Sequence, residues 1–189
     1  MIRVIDNFIP LSHQEEIKST LLEGRFPWFF VQDVTDHTDT SSKNKSPAIS
    51  SLLRNNSQDT NNYYIYFSPL AHLGASLVDY KFNDVVKCRV FLQFPLSKVS
   101  PIDPLHTDSS NDHLVVLYYV VDSDGDTIIV DKKRGIGEQR ETNLNFEDFT
   151  ILQRVTPKQG RAVIFDGRYY HTAEQPRENI RCVINFNVI

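Results

Sequence analysis

A change of hydrophobic period near residue 85 constrains this chain more than any other feature. From there on, VVKCRVFLQFP, HLVVLYYVV, DTIIVD, FTILQRVTP, GRAVIFD and RCVINFNVI are short, alternating, and rich in β-branched and aromatic residues. Turn chemistry such as DSDGD and TPKQG separates them, which marks a run of half-buried strands. The chain before residue 85 reads differently. SHQEEIKSTLLEG has Ser12 three residues ahead of Glu15, a capping-box spacing, and a stripe of Ile17, Leu21 and Leu22, so a helix is predicted from Ser12 to Gly24. NNYYIYFSPL reads as a strand or strand end, and PLAHLGASLVDY as a second helix through Leu70, Leu73, Leu77 and Val78. With no internal repeat and no long linker, the prediction is one domain over 1–189. Residues 1–84 give helical and strand support, and 85–189 give a mainly β, double-sheet jelly-roll core.

A chain of 189 residues can bury such a core without disulfides or a structural metal. Its net charge of −4 argues against a nucleic-acid backbone as partner. Cys88 and Cys182 lie in alternating apolar segments and read as buried free thiols, since two cysteines cannot build a zinc cluster unaided. The opening MIRVIDNFIPLSHQEE lacks a basic stretch followed by an apolar run, and no segment reaches the ~18 apolar residues of a membrane span. A soluble, cytoplasmic protein is therefore expected, of unspecified oligomeric state. Two polar stretches, 36–47 and 132–148, read as surface loops; the second is either a rim that shapes ligand access or a plain solvated connection. Trp28, Phe29 and Phe30 either stack a substrate or belong to the core.

The tripeptide His-Thr-Asp occurs twice, at 37–39 and 106–108. The first copy lies in the polar stretch, where no strand would fix its side chains, and reads as ordinary loop. The second follows a Pro-punctuated turn and precedes HLVVLYYVV. On an extended segment, residues i and i+2 point to the same side, so His106 and Asp108 can converge on a metal. His171, in RYYHTAEQP between the last two strong strands, is the candidate third ligand. Two imidazoles and one carboxylate form the facial set that suits Fe(II) and leaves coordination positions open. Spacing alone leaves that reading level with coincidence. Arg181 follows ten residues after His171, on one face of the last strand with Val183, Asn185 and Asn187. That face is either solvent or barrel interior, where a guanidinium calls for an anionic partner.

Together these residues resemble the Fe(II)- and 2-oxoglutarate-dependent oxygenases, most nearly the prolyl 4-hydroxylase-like branch. LYYVVDSDGDT is similar to that branch's strand and Gly-Gly-Glu-Thr turn, and TPKQGRAVIFD to its Pro-x-x-Gly-x-x-x-x-Phe strand, in the same order along residues 85–189. The resemblance implies a double-stranded β-helix of jelly-roll, cupin-like type, with His106, Asp108 and His171 holding Fe(II). It further implies that Arg181, Tyr119 and Asn185 bind 2-oxoglutarate, with O2 as the oxidant. The implied reaction hydroxylates a small molecule or a peptidyl residue and releases succinate and CO2.

Three departures stand out. The branch most often has lysine where this chain has Arg181, which weakens the case for a collagen-type prolyl substrate. The turn is DGDT, and VFLQFP lacks the tyrosine often found there, so Arg89 and Gln93 are expected to line the pocket instead. The alternatives are a non-catalytic jelly-roll binding or structural protein, and a metal-dependent cupin enzyme that does not use 2-oxoglutarate.

Overall fold

Alternating apolar residues bury one face of a strand against a partner layer, and here the alternation from residue 85 builds two antiparallel sheets. The computed structural model describes residues 1–32, 47–96 and 102–189. The strands are β1 (Ile2–Ile5), β2 (Phe29–Val31), β3 (Ala48–Asn55), β4 (Gln58–Asp59), β5 (Val85–Gln93), β6 (Leu114–Tyr119), β7 (Thr127–Lys133), β8 (Ile151–Val155), β9 (Ala162–Asp166), β10 (Tyr169–Ala173) and β11 (Arg181–Val188). The large sheet runs β1-β9-β6-β11-β5-β3-β2, with β4 paired to β3; the small sheet runs β10-β7-β8. Two helices, α1 (Leu11–Leu22) and α2 (Tyr63–Ser76), complete the fold.

Each central strand divides its side chains by parity. On β6 and β11, Leu114, Val116, Tyr118, Cys182, Ile184, Phe186 and Val188 pack with Ile17, Leu21, Phe67, Leu70 and Ala71 of the helices. Their neighbours Val115, Leu117, Tyr119 and Val183 face the other way, where Ile129 of β7 and Val155 of β8 meet them. The space between the sheets is therefore dry along β6 and β9, while β5 and β11 present polar groups to it. Cys88 and Cys182 are buried free thiols on the helix side, as expected, and burial pushes the Cys182 thiol up.

Several local readings need correction. Ser12 does not cap α1: the helix begins at Leu11 behind Pro10, and no side chain caps it. The fixed φ of Pro10 sets the entry, and its carbonyl accepts from His13 and Gln14 N–H. NNYYIYFSPL is no strand; Tyr63 onward is the first half of α2, which carries Pro69 in its interior. The carbonyl of Ile65, deprived of the Pro69 N–H, accepts from the Ser68 hydroxyl at 3.1 Å. Exposed Ile65 sits on the solvent side of the helix, so tertiary packing of Phe67, Leu70 and Ala71 overrides the aromatic strand propensity. The four strands β1 to β4 belong to the N-terminal third along with the helices.

The stretch 132–148 is not wholly solvated either. Lys132 and Lys133 end β7, Arg134 is buried and pairs with Asp112, and Leu144, Phe146 and Phe149 cover Ile128, Val130 and Tyr170 on the outer face of the small sheet. Most of 36–47, including His37 and Asp39, lies outside the described residues. Trp28 packs edge-on to Phe26 and donates its indole N–H to the Leu21 carbonyl at the end of α1, whereas Phe29 and Phe30 are exposed on the edge strand β2. No described helix is long and apolar enough to cross a membrane.

Candidate metal centre

A cavity of about 990 Å³, including its mouth, opens between the sheets; His106, Asp108, His171, Arg181, Asn185, Arg89 and Gln93 line it, and Tyr119 does not. His106, Asp108 and His171 bring one ligand atom each to within 4.8 Å of one another. Their frame is a backbone bridge between residues 106 and 171, which extends the small sheet by one rung beyond β10. His171 itself lies inside β10, a strand of only five residues that follows directly on the turn after β9, too short for its alternation to stand out in YYHTA.

Both imidazoles are held in the same way. Nδ1 of His106 lies 3.0 Å from the Pro104 carbonyl, and Nδ1 of His171 lies 3.0 Å from the Tyr169 carbonyl. A carbonyl only accepts, so each Nδ1 carries the proton and each Nε2 lone pair is available to a cation. The Nε2 atoms stand 3.9 Å from the two oxygens of Asp108. Burial pushes the His171 imidazolium down to about 4, so it is neutral at pH 7. Burial by itself would raise the Asp108 carboxyl, but the surrounding histidines and a hydrogen bond from Asn185 Nδ2, at 3.0 Å on Oδ2, hold it well below the usual carboxylate range. A neutral imidazole at His171 and a carboxylate at Asp108 are protonation states that suit a divalent metal, and the two-histidine, one-carboxylate donor set fits Fe(II).

Arg181 starts β11 and turns into the cavity with only 5% of its surface exposed. Its Nε donates to the Gly125 carbonyl, Nη1 to Gln93 Oε1 and Nη2 to Thr127 Oγ1, each at 2.9 Å. All three partners are uncharged. Gln93 is oriented from behind, its Nε2 donating to Asp103 Oδ2 at 3.3 Å while Gln175 Nε2 donates to Oδ1 at 2.9 Å. Gly125 makes the close approach possible, because a Cβ there would lie 2.7 Å from the Glu174 carbonyl and 3.0 Å from Arg181 Cδ.

Each expected site residue has a definite place. Arg89 and Gln93 line the cavity, as does Asn185, whose described partner is Asp108. Tyr119 is fully buried in the cluster between the sheets, with its ring 6.0 Å from the Arg181 guanidinium carbon. Burial pushes its hydroxyl up to about 12, and the oxygen has no hydrogen-bond partner of ordinary geometry although Thr127 is near. An orphaned hydroxyl beside a cation with neutral partners is a fit for a ligand carboxylate. Sequence reasoning missed Thr127, Asp103, Lys87 and Arg140, all of which line the same cavity. The alternation of β5 would have yielded Lys87 with Arg89; nothing local marked the others.

No protein-family model matches this sequence, and no curated protein matches it. Solved structures do. A 2OG-Fe(II) oxygenase family oxidoreductase from Burkholderia pseudomallei superposes with TM-score 0.70 at 11% identity, over 99% of this chain and 84% of that one. The epimerase SnoN, in complex with Fe3+, α-ketoglutarate and nogalamycin RO, gives 0.65 at 14% identity over 100% and 78%. A prolyl hydroxylase from Trichoplax adhaerens, bound to a hypoxia inducible factor peptide fragment, gives 0.63 at 16% over 100% and 83%. The chain thus has the jelly-roll fold of the 2-oxoglutarate/Fe(II) oxygenases, prolyl hydroxylases among them.

Proposed function

We propose that this protein is an Fe(II)- and 2-oxoglutarate-dependent oxygenase. One observation carries the reading: a three-donor metal cluster and a buried arginine whose hydrogen-bond partners among the described residues are all uncharged line the same cavity. His106, Asp108 and His171 would hold the iron, which when bound supplies the activation of O2. Arg181 would take the distal carboxylate of 2-oxoglutarate as a paired anion, with the Tyr119 hydroxyl as a further donor. Asn185 fixes the Asp108 carboxylate by its hydrogen bond, and Gln93 and Thr127 fix the guanidinium. Val115, Leu117, Phe165 and Val183 form an apolar wall, which excludes water and strengthens the charge pairing inside.

The solved relatives include one with a bound peptide and one with nogalamycin RO, and we take a peptidyl residue or a small molecule as the substrate range. Hydroxylation with release of succinate and CO2 is the reaction this assignment gives. The test is succinate formation from 2-oxoglutarate with purified protein, Fe(II) and O2, against the His171→Ala variant. Succinate from the wild type alone upholds the reading. Iron binding without succinate would favour a metal-dependent enzyme of another kind, and neither iron nor succinate a binding protein.

A further inference from the structure

Arg181 is held by a group that is itself held. Its Nη1 donates to Gln93 Oε1 at 2.9 Å, and Gln93 Nε2 donates in turn to Asp103 Oδ2 at 3.3 Å. The other Asp103 oxygen accepts from Gln175 Nε2 at 2.9 Å. All four side chains are buried.

A side-chain amide can turn over and present either its oxygen or its NH2 group to a neighbour, and a guanidinium, which only donates, can bond to the oxygen alone. Asp103 removes that freedom from Gln93. A carboxylate only accepts, so it takes the NH2 end and leaves the oxygen for Arg181. Its charge acts in the same sense: burial disfavours the Arg181 cation, and Asp103 is among the groups that oppose this. Asp103 is also tied to the strand that carries a metal ligand. Its N–H donates to the Ala173 carbonyl at 2.9 Å, and its carbonyl accepts from the Thr172 hydroxyl at 2.5 Å. Thr172 and Ala173 follow His171 directly, and His106 lies three positions after Asp103.

Resting on the function proposed above, we propose that Asp103 is a positioning residue for 2-oxoglutarate. Acting through Gln93 rather than on the co-substrate, it fixes the direction of the Arg181 fork that receives the distal carboxylate.

Calorimetry on the Mn(II)-loaded protein tests this with 2-oxoglutarate and with pyruvate, a 2-oxoacid that lacks the distal carboxylate. Asp103→Asn should weaken 2-oxoglutarate about tenfold and leave pyruvate binding as it was. In a Gln93→Leu background, where the chain of bonds is already cut, Asp103→Asn should have little further effect. Hydrogen exchange of the Arg181 Nε–H, which donates to the Gly125 carbonyl, reads the guanidinium directly by NMR in the free protein. It should quicken about tenfold in Asp103→Asn. It should slow again in the exchanged pair Asp103→Asn/Gln93→Glu, where the asparagine amide donates to the glutamate and the glutamate accepts from Arg181.

Equal losses for 2-oxoglutarate and pyruvate would make Asp103 a brace of the metal-bearing strand and overturn the proposal. So would an unchanged 2-oxoglutarate affinity, or an effect of the same size with and without Gln93. Should Asp103→Asn fail to fold, slow Nε–H exchange in the exchanged pair upholds the proposal and fast exchange overturns it. If the wild type binds no 2-oxoglutarate, the proposed function fails, and the Nε–H exchange alone decides whether Asp103 positions Arg181.

Discussion

His106 and His171 hold each other by the main chain: the N–H of each donates to the carbonyl of the other at 3.0 Å. Sixty-five residues apart in sequence, the two imidazoles are thereby set with ring centroids 4.7 Å apart, and the backbone rung persists whatever the side chains are.

Metal binding should therefore be separable from folding. His106→Ala and His171→Ala are expected to reduce bound Fe(II) or Mn(II) from about one equivalent to nearly none, with the circular dichroism spectrum unchanged. Asn185→Leu, which removes only the hydrogen bond to Asp108, should weaken metal binding about 10–100-fold. Full metal occupancy in either histidine variant would rule the cluster out.

Arg181→Met should weaken 2-oxoglutarate binding by about 2–5 kcal/mol, as when one partner of a desolvated charge pair is removed. Arg181→Lys should recover part of the loss, since it keeps the charge but not the fork that serves Gly125, Gln93 and Thr127. Calorimetry with the Mn(II) form reads both. An unaltered dissociation constant in the methionine variant would show that the guanidinium does not receive the co-substrate.

Helix α2 rests on the large sheet through Gly74, where an added Cβ would lie 2.7 Å from both Val116 methyls. Gly74→Ala should destabilise by about 1–3 kcal/mol in urea titration, despite alanine being the better helix former. Combined with Val116→Ala it should cost less than the sum of the single changes, because the clash is gone. Strict additivity would mean that the contact is not the cause.

Asp166 begins the turn that delivers β10 and its His171. Burial would raise its carboxyl, but hydrogen bonds from Arg168 and Lys133 outweigh burial and hold it well below the usual carboxylate range. A depressed folded-state pKa contributes stability above the unfolded value of about 4 and loses it as pH falls further. Asp166→Asn is expected to be less stable than wild type by roughly 1–2 kcal/mol at pH 7, with the gap closing below about pH 4. Parallel stability curves from pH 7 to 3 would refute this.

The sequence by itself determined which face each core strand turns inward. In RCVINFNVI, the parity that put Arg181, Asn185 and Asn187 on one side and Cys182, Ile184 and Phe186 on the other is the parity of β11 in the fold, because a period of two survives any arrangement of neighbouring strands. The i, i+2 spacing suggested that His106 and Asp108 could converge, although only residue 106 joins a strand and Asp108 lies in a bend beyond it. Tertiary structure alone decided the rest. YYIYFSPL is helical because Phe67 and Leu70 find a helix-shaped seat on the sheet, a long-range packing term that outweighs local propensity. Thr127, Asp103 and Arg140 join the site only because strand pairing and loop return bring distant segments to one cavity, and no local pattern encodes such a meeting.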